Sequence, residues 1–234
     1  MEQNEAWVST DTGTAVHRAV ELFYAGVPVD EVVAKLPAMK TDPERGFPRA
    51  DLDDAERMFR YYARDPRNTE RPLLVEQKVE VALDPHPTDP TQAPIVIRGT
   101  LDQVRMSHGI PHVWDLKTSK KSNVEVTHGY TMQLAAYVLG ASQALGCKVE
   151  PGGFINPRNY FKRGADAPED RPTSIFLHVT WTHEQALMLL DPVRLAVAAI
   201  RRGEYHPIPG DHCFFCPTKG IDVCLPKLLS LPTV

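Results

Sequence analysis

The 234-residue chain contains no apolar run that approaches a membrane-spanning length, so no transmembrane helix is expected. It has only four cysteines, Cys147, Cys213, Cys216 and Cys224, too few and too clustered for a disulfide framework in a chain of this size. Basic residues are not in excess either. Against 30 Asp and Glu stand 26 Lys and Arg, a net charge of −4 that neither marks nor excludes a polyanion-binding surface. The opening stretch, MEQNEAWVSTDTG, lacks the basic and apolar segments that direct secretion, so a cytoplasmic protein without membrane association is expected. Proline is plentiful instead. Its 21 residues concentrate in Pro37 to Pro48, Pro85 to Pro94 and Pro207 to Pro232, which marks these stretches as irregular connections. With 42% hydrophobic residues the chain can bury a sizeable core. One domain over residues 1–203 is expected, with a cysteine-containing tail, residues 204–234, packed on it.

The most informative stretch runs from Arg98 to Thr118. Alternating segments, Thr100 to Met106 and His112 to Lys117, flank a Ser107-His108-Gly109 turn signal and predict an antiparallel hairpin. Val113, Asp115 and Lys117 then share one face, and Trp114 and Leu116 the other. With the pairing centred near Gly109, Asp102 on the first arm comes close to Asp115. Two carboxylates brought together repel unless a cation sits between them, and hard oxygen ligands with room for waters suit Mg2+ or Mn2+.

Upstream, Ala15, Val16, Ala19, Val20 and Phe23 predict a helix over residues 12–25, with Asp11 or Thr12 as its cap and Gly26 as its stop. His17 and Glu21 share one of its faces. A short helix over 29–36 is expected to end at Pro37, and another spans 52–64 with Ala55, Met58, Phe59 and Tyr62 as its apolar stripe. Leu73 to Leu83 alternates as a strand whose polar face carries Glu76, Lys78 and Glu80. Such a face is usually solvated, but beside the hairpin Glu76 or Glu80 becomes an additional acidic ligand. Lys120 and Lys121 form either a charged loop or a phosphate contact. A helix over 127–145 stacks Gln133 and Tyr137 on one side. Strands at 153–156 and 173–181 follow, and the loop between them, with Arg158, Lys162 and Arg163, is either a substrate contact or disordered. Thr182 with Gln185 opens a helix running to Arg202, in which Pro192 is expected to produce a kink.

In the tail, Cys213-x-x-Cys216 with Cys224 offers three thiolates suited to a tetrahedral metal or an iron-sulfur cluster, with Cys147 or His206 as the fourth ligand if zinc is bound. Free buried thiols are the alternative.

Four motifs in order, Gly13-x-x-x-His17, Gly99-x-x-Asp102, Asp115-x-Lys117-Thr118 and Gln133-x-x-x-Tyr137, resemble the RecB-like exonuclease branch of the PD-(D/E)XK nuclease superfamily. Asp-x-Lys alone recurs by chance; the ordered set, over residues 13–137, is specific. The resemblance implies an α/β, restriction-endonuclease-like fold with a mixed central β-sheet flanked by α-helices. It implies His17, Asp102 and Asp115 as metal ligands, Lys117 as the catalytic lysine, and Gln133 and Tyr137 lining the site against the substrate strand. The implied activity is that of a Mg2+- or Mn2+-dependent deoxyribonuclease, an exonuclease acting on DNA ends or single strands in recombination, repair or replication, bacterial or phage-encoded by analogy. The helicase and recombinase-loading parts of larger relatives are not found in this chain, so a recombination or replication partner is expected to supply them.

Some relatives also clamp an iron-sulfur cluster between a cysteine upstream of the first helix and three near the C-terminus. No cysteine precedes His17 here, so Cys147 would have to complete such a cluster, or the trio binds zinc or nothing. Two other readings compete. One is a nuclease fold that only binds DNA or docks a partner, against which the acidic pair and the lysine argue. The other is a restriction-type endonuclease, which shares the Asp-x-Lys chemistry but not the Gly13/His17 and Gln133/Tyr137 helices.

Overall fold

A computed structural model describes residues 2–42, 46–84, 93–118, 128–160 and 176–204. The chain divides into two units, Met1–Asp191 and Pro192–Val234. The first contains three helices, α1 (Glu2–Tyr24), α2 (Val29–Lys40) and α3 (Leu52–Arg64), followed by strands β1 (Leu74–Asp84), β2 (Ile95–Ser107) and β3 (Ile110–Leu116). Helix α4 (His128–Leu145) leads to β4 (Glu150–Ile155), β5 (Phe176–His178) and α5 (His183–Leu189). Helix α6 (Asp191–Arg201) begins at the boundary and supplies the described structure of the second unit.

The strands form one mixed sheet in sequence order, β1-β2-β3-β4-β5. All neighbours are antiparallel except β3 and β4, which α4 connects in parallel. His108 and Gly109 both take positive φ, 51° and 79°, the pair of left-handed residues that a tight hairpin turn between twisted strands requires. The expected hairpin is therefore present, and its first arm extends back to Ile95.

Two layers of helix cover this sheet. Ala15, Val16 and Ala19 of α1, Val32 and Leu36 of α2 and Met58, Phe59 and Tyr62 of α3 pack with Trp114, Leu116, Ile155 and Phe176 in one core cluster. The alternate residues of β3 face α4, as Lys117 does through Gln133. At Gly140 of α4 a Cβ would fall 2.7 Å from that of Val79, so the close seating of α4 on β1 depends on a missing side chain.

Several expectations require correction. Helix α1 starts at Glu2, so Asp11 and Thr12 lie within it. Their side chains accept from the backbone N–H groups of Arg49 and Asp51, tying α1 to the entrance of α3. Pro37 does not end α2, which continues to Lys40; a proline in the last turn forfeits only one intrahelical bond. Strand β5 is only three residues long among the described positions. Pro192 breaks the helix, because it has no N–H to give to the preceding turn, and it serves instead in the first turn of α6. Arg158, read as part of a loop that contacts substrate or is disordered, is instead tied into the fold. Its guanidinium forms two hydrogen bonds with the Asp54 carboxylate, and its Nε donates to the Thr118 carbonyl at 2.6 Å.

Candidate active site

Register builds the site before any side chain is considered. In the β2-β3 ladder Gln103 faces Trp114, so one further step sets Asp102 opposite Asp115. In the β1-β2 ladder Val75 faces Gln103 and Gln77 faces Leu101, which sets Glu76 opposite Asp102. Three acidic residues thus occupy one row across three strands. The row is irregular: Glu76 has a φ of 47°, a costly left-handed conformation for a side-chain-bearing residue, of the kind that concentrates at functional sites. The phase of β2 changes there too. Gly99 lies under Tyr137 of α4, whereas Gln103 reaches Tyr62 of α3, although strict alternation would give both one face. Beyond the last ladder pair, the Asp102 carboxylate accepts the N–H of Leu116 at 2.5 Å.

Helix α1 delivers His17 to this row. Its Nδ1 lies 3.0 Å from Glu76 Oε1 and 3.5 Å from Asp102 Oδ1, and its Nε2 lies 3.2 Å from the Leu116 carbonyl. A carbonyl only accepts, so Nε2 carries a proton and Nδ1 is the nitrogen presented to the carboxylates. Ligand atoms of His17, Glu76 and Asp102 all lie within 4.8 Å of one another. The neighbouring Asp115 carboxylate is buried, and its Oδ2 lies 2.6 Å from Lys117 Nζ in an ion pair.

Lys117 is held from three sides: by Asp115, by Gln133 Oε1 at 3.0 Å, and by the ring of Tyr130, whose centroid lies 4.5 Å from Nζ. Gln133 in turn donates to Tyr137 Oη at 3.0 Å, which leaves the tyrosine proton free to donate. A Cβ on Gly99 would come 2.9 Å from Tyr137 Cε1, and one on Gly13 would come 2.8 Å from Thr118 Oγ1. Both motif glycines therefore permit close approach, of α4 to β2 and of α1 to the end of β3.

The electrostatics follow from crowding acids in a half-closed space. Burial raises the pKa of Asp102, and although His17 pulls it back, Asp115 and Glu76 add to the rise; it reaches about 7. Burial likewise raises Asp115 above the ordinary carboxylate range, against the pull of Lys117. For His17 burial disfavours the charge, but Asp102 and Glu76 outweigh it and push the pKa up to about 9. The protein alone thus holds extra protons where it lacks positive charge. The residues fit a hard divalent cation: clustered carboxylates that raise one another's proton affinity and an oriented imidazole nitrogen.

Of the predicted site residues, His17, Asp102, Asp115, Lys117, Gln133 and Tyr137 converge here. Glu76, read as an additional ligand, belongs to the tightest cluster, whereas Asp115 is engaged by Lys117. Tyr130 was not singled out by any motif; its placement one helical turn before Gln133 was the available signal. Cys147 is exposed after α4. Lys120, Lys121, Lys162, Arg163, His206, Cys213, Cys216 and Cys224 lie outside the described residues.

This fold and site define a nuclease-type α/β protein. The chain belongs to the PD-(D/E)XK nuclease superfamily, whose family model matches residues 2–224. Members of that superfamily generally use divalent metals. A search of curated proteins finds no significant match. Among solved structures, a crystal structure from Eubacterium rectale described as a "Putative exonuclease" aligns with a TM-score of 0.49 at 17% identity, covering 95% of this chain and 77% of the other. No helix among the described residues is long and apolar enough to cross a membrane.

Proposed function

We propose that the protein is a Mg2+- or Mn2+-dependent deoxyribonuclease of the RecB-like branch, an exonuclease acting on DNA ends or single strands in recombination, repair or replication. The observation that carries this reading is the meeting of His17, Glu76 and Asp102 within 4.8 Å beside the Asp115-Lys117 pair. A cation bound among these residues supplies charge neutralisation and polarisation of the phosphate. Glu76 and Asp102 would hold it through oxygen, with Asp115 as a neighbouring acidic group. The Leu116 carbonyl keeps the His17 proton on Nε2, so Nδ1 stays available as a ligand.

Lys117 is directed at the reacting phosphate or the attacking water by its three supports, and its positive charge offsets the charge that builds on phosphate oxygens in the transition state. The Tyr137 hydroxyl donates to the substrate strand, with Gln133 fixing its direction. A divalent-metal titration on end-labelled single-stranded, duplex and closed circular DNA tests the proposal. The expected result is metal-dependent loss of linear substrates with the closed circle spared. Cleavage that persists in chelator would overturn the metal mechanism, and cleavage of the circle would overturn the exonuclease assignment.

A further inference from the structure

A recess of about 540 Å3 takes no part in the site described above. Its walls include Arg67, Arg71 and Arg105 with Trp114, Phe176 and His178. It lies in the first unit, behind the reaction centre, because Trp114 and Asp115 are consecutive on β3 and point to opposite faces.

Flat groups dominate these walls. The Arg67 guanidinium carbon sits 4.0 Å over the Phe176 ring. Trp114 meets Phe176 and His178 edge-on, both with centroids 4.9 Å away. Beneath Trp114 lies Gly152, where a Cβ would come 2.4 Å from the indole, so the absence of a side chain seats the ring against the sheet. Of these groups Arg67 and His178 are exposed, whereas Trp114 and Phe176 are buried. An Arg plane braced on an aromatic ring is a stacking platform for a nucleobase.

Charge points the same way. Arg105 is buried, and its guanidinium donates to neutral oxygens: the hydroxyls of Tyr24 and Tyr62, the Gln103 amide and the Arg67 carbonyl. Arg71 is exposed and has no hydrogen-bond or ion-pair partner among the described residues. Glu70 is the one carboxylate in the wall, and Arg67 is already paired with Asp65. A ligand that is flat at one end and anionic at the other fits this surface, and the volume exceeds what a lone phosphate needs.

We infer that the recess binds one nucleotide of a single-stranded nucleic acid at a distance from the bond that is cut, with the base against Arg67 and His178 and a phosphate on Arg71. This inference rests on the reading of the protein as a nuclease, since it takes the same substrate. Such a contact holds the strand while the other face of the sheet reacts.

The test measures anisotropy of a fluorescein-labelled oligothymidylate in chelator, where no metal-dependent cleavage intervenes, using the full chain, Arg71→Glu and Arg71→Lys. Arg71→Glu should weaken binding roughly tenfold, and Arg71→Lys should restore most of it. With metal, Arg71→Glu should raise KM on a long single strand and leave kcat unchanged. Equal affinity of Arg71→Glu and the unaltered chain, no binding at all, or equal competition by blunt duplex would each overturn the inference. If the unaltered chain binds the strand through Arg71 but never cleaves it with any metal, the nuclease reading fails while the recess stands.

Discussion

Asp102 and Gln103 are neighbours on one strand, yet they belong to polar clusters of opposite character. Gln103 sits in a buried network with Tyr24, Tyr62 and Arg105, in which the tyrosine hydroxyls lie 2.8 Å apart and Arg105 Nε donates to the Gln103 amide at 2.8 Å. Hydrogen-bond donors and acceptors answer one another there. Around Asp102, by contrast, carboxylates crowd together with too little positive charge, and His17 and Glu76 remain 28% and 26% exposed. A buried network that satisfies itself fixes structure, whereas one left short of cations, with an open side, is suited to receive one. Burial raises Tyr62 well above its usual range, so the first cluster stays neutral apart from Arg105.

The comparison can be broken most sharply from the two ends. Lys117→Ala should lower kcat on linear DNA on the order of 10^3-fold or more, and Asp115→Ala should lower it as far while the melting temperature holds or rises, since crowded negative charge is removed. Arg105→Leu should do the reverse. It strands the Tyr24, Tyr62 and Gln103 oxygens and should cost about 3 kcal/mol, a fall in Tm on the order of 10 °C, with kcat at permissive temperature nearly unchanged. Paired melting curves and rate measurements check both, and loss of fold in Asp115→Ala would erase the contrast.

A smaller effect separates the clusters by pH. Without metal, Asp102 keeps its proton up to about 7 in the folded chain against an ordinary value of 3.8, and His17 up to about 9 against 6.5. Both groups bind protons more tightly folded than unfolded. Their contribution to stability is therefore full at low pH and is lost as pH rises, through 3.8 to about 7 for Asp102 and 6.5 to about 9 for His17. Thermal melts in chelator should show Tm falling between neutral pH and about 9. Saturating Mn2+ should oppose that fall increasingly as pH rises, because the cation displaces those protons. A Tm that rises with pH in chelator would contradict the arrangement of protons described above.

The smallest expected effect concerns Tyr130. Tyr130→Leu should lower kcat about five- to tenfold with little change in KM, and Tyr130→Phe should stay within about twofold, because the ring face and not the hydroxyl supports Lys117. Equal losses in both variants would assign the effect to the hydroxyl.

Much of this was legible in the chain itself. The Ser107-His108-Gly109 turn and its alternating flanks sufficed to place Asp102 near Asp115, because register in a tight hairpin is fixed by the turn. The 3.6-residue stripe of α3 predicted its buried residues, Ala55, Met58, Phe59 and Tyr62, without error. Misreadings fell where local signals compete with tertiary contacts: Asp11 and Thr12 resemble caps but bond to the entrance of α3, and Pro37 resembles a stop but falls where little is lost.

What the sequence determined alone is periodicity and spacing: a hairpin presenting Asp115 and Lys117 on one face, helices with His17 and with Gln133 and Tyr137, and the family to which the chain belongs. What tertiary structure decided is which of several acids share the site. Glu76 alternates along β1 like any solvated strand residue, and only its pairing opposite Asp102 and its left-handed backbone bring it within 3.0 Å of His17. The reason is physical. Local pattern sets the face a side chain takes within its own strand, but meeting residues from α1, β1 and β2 requires long-range packing that no local window contains.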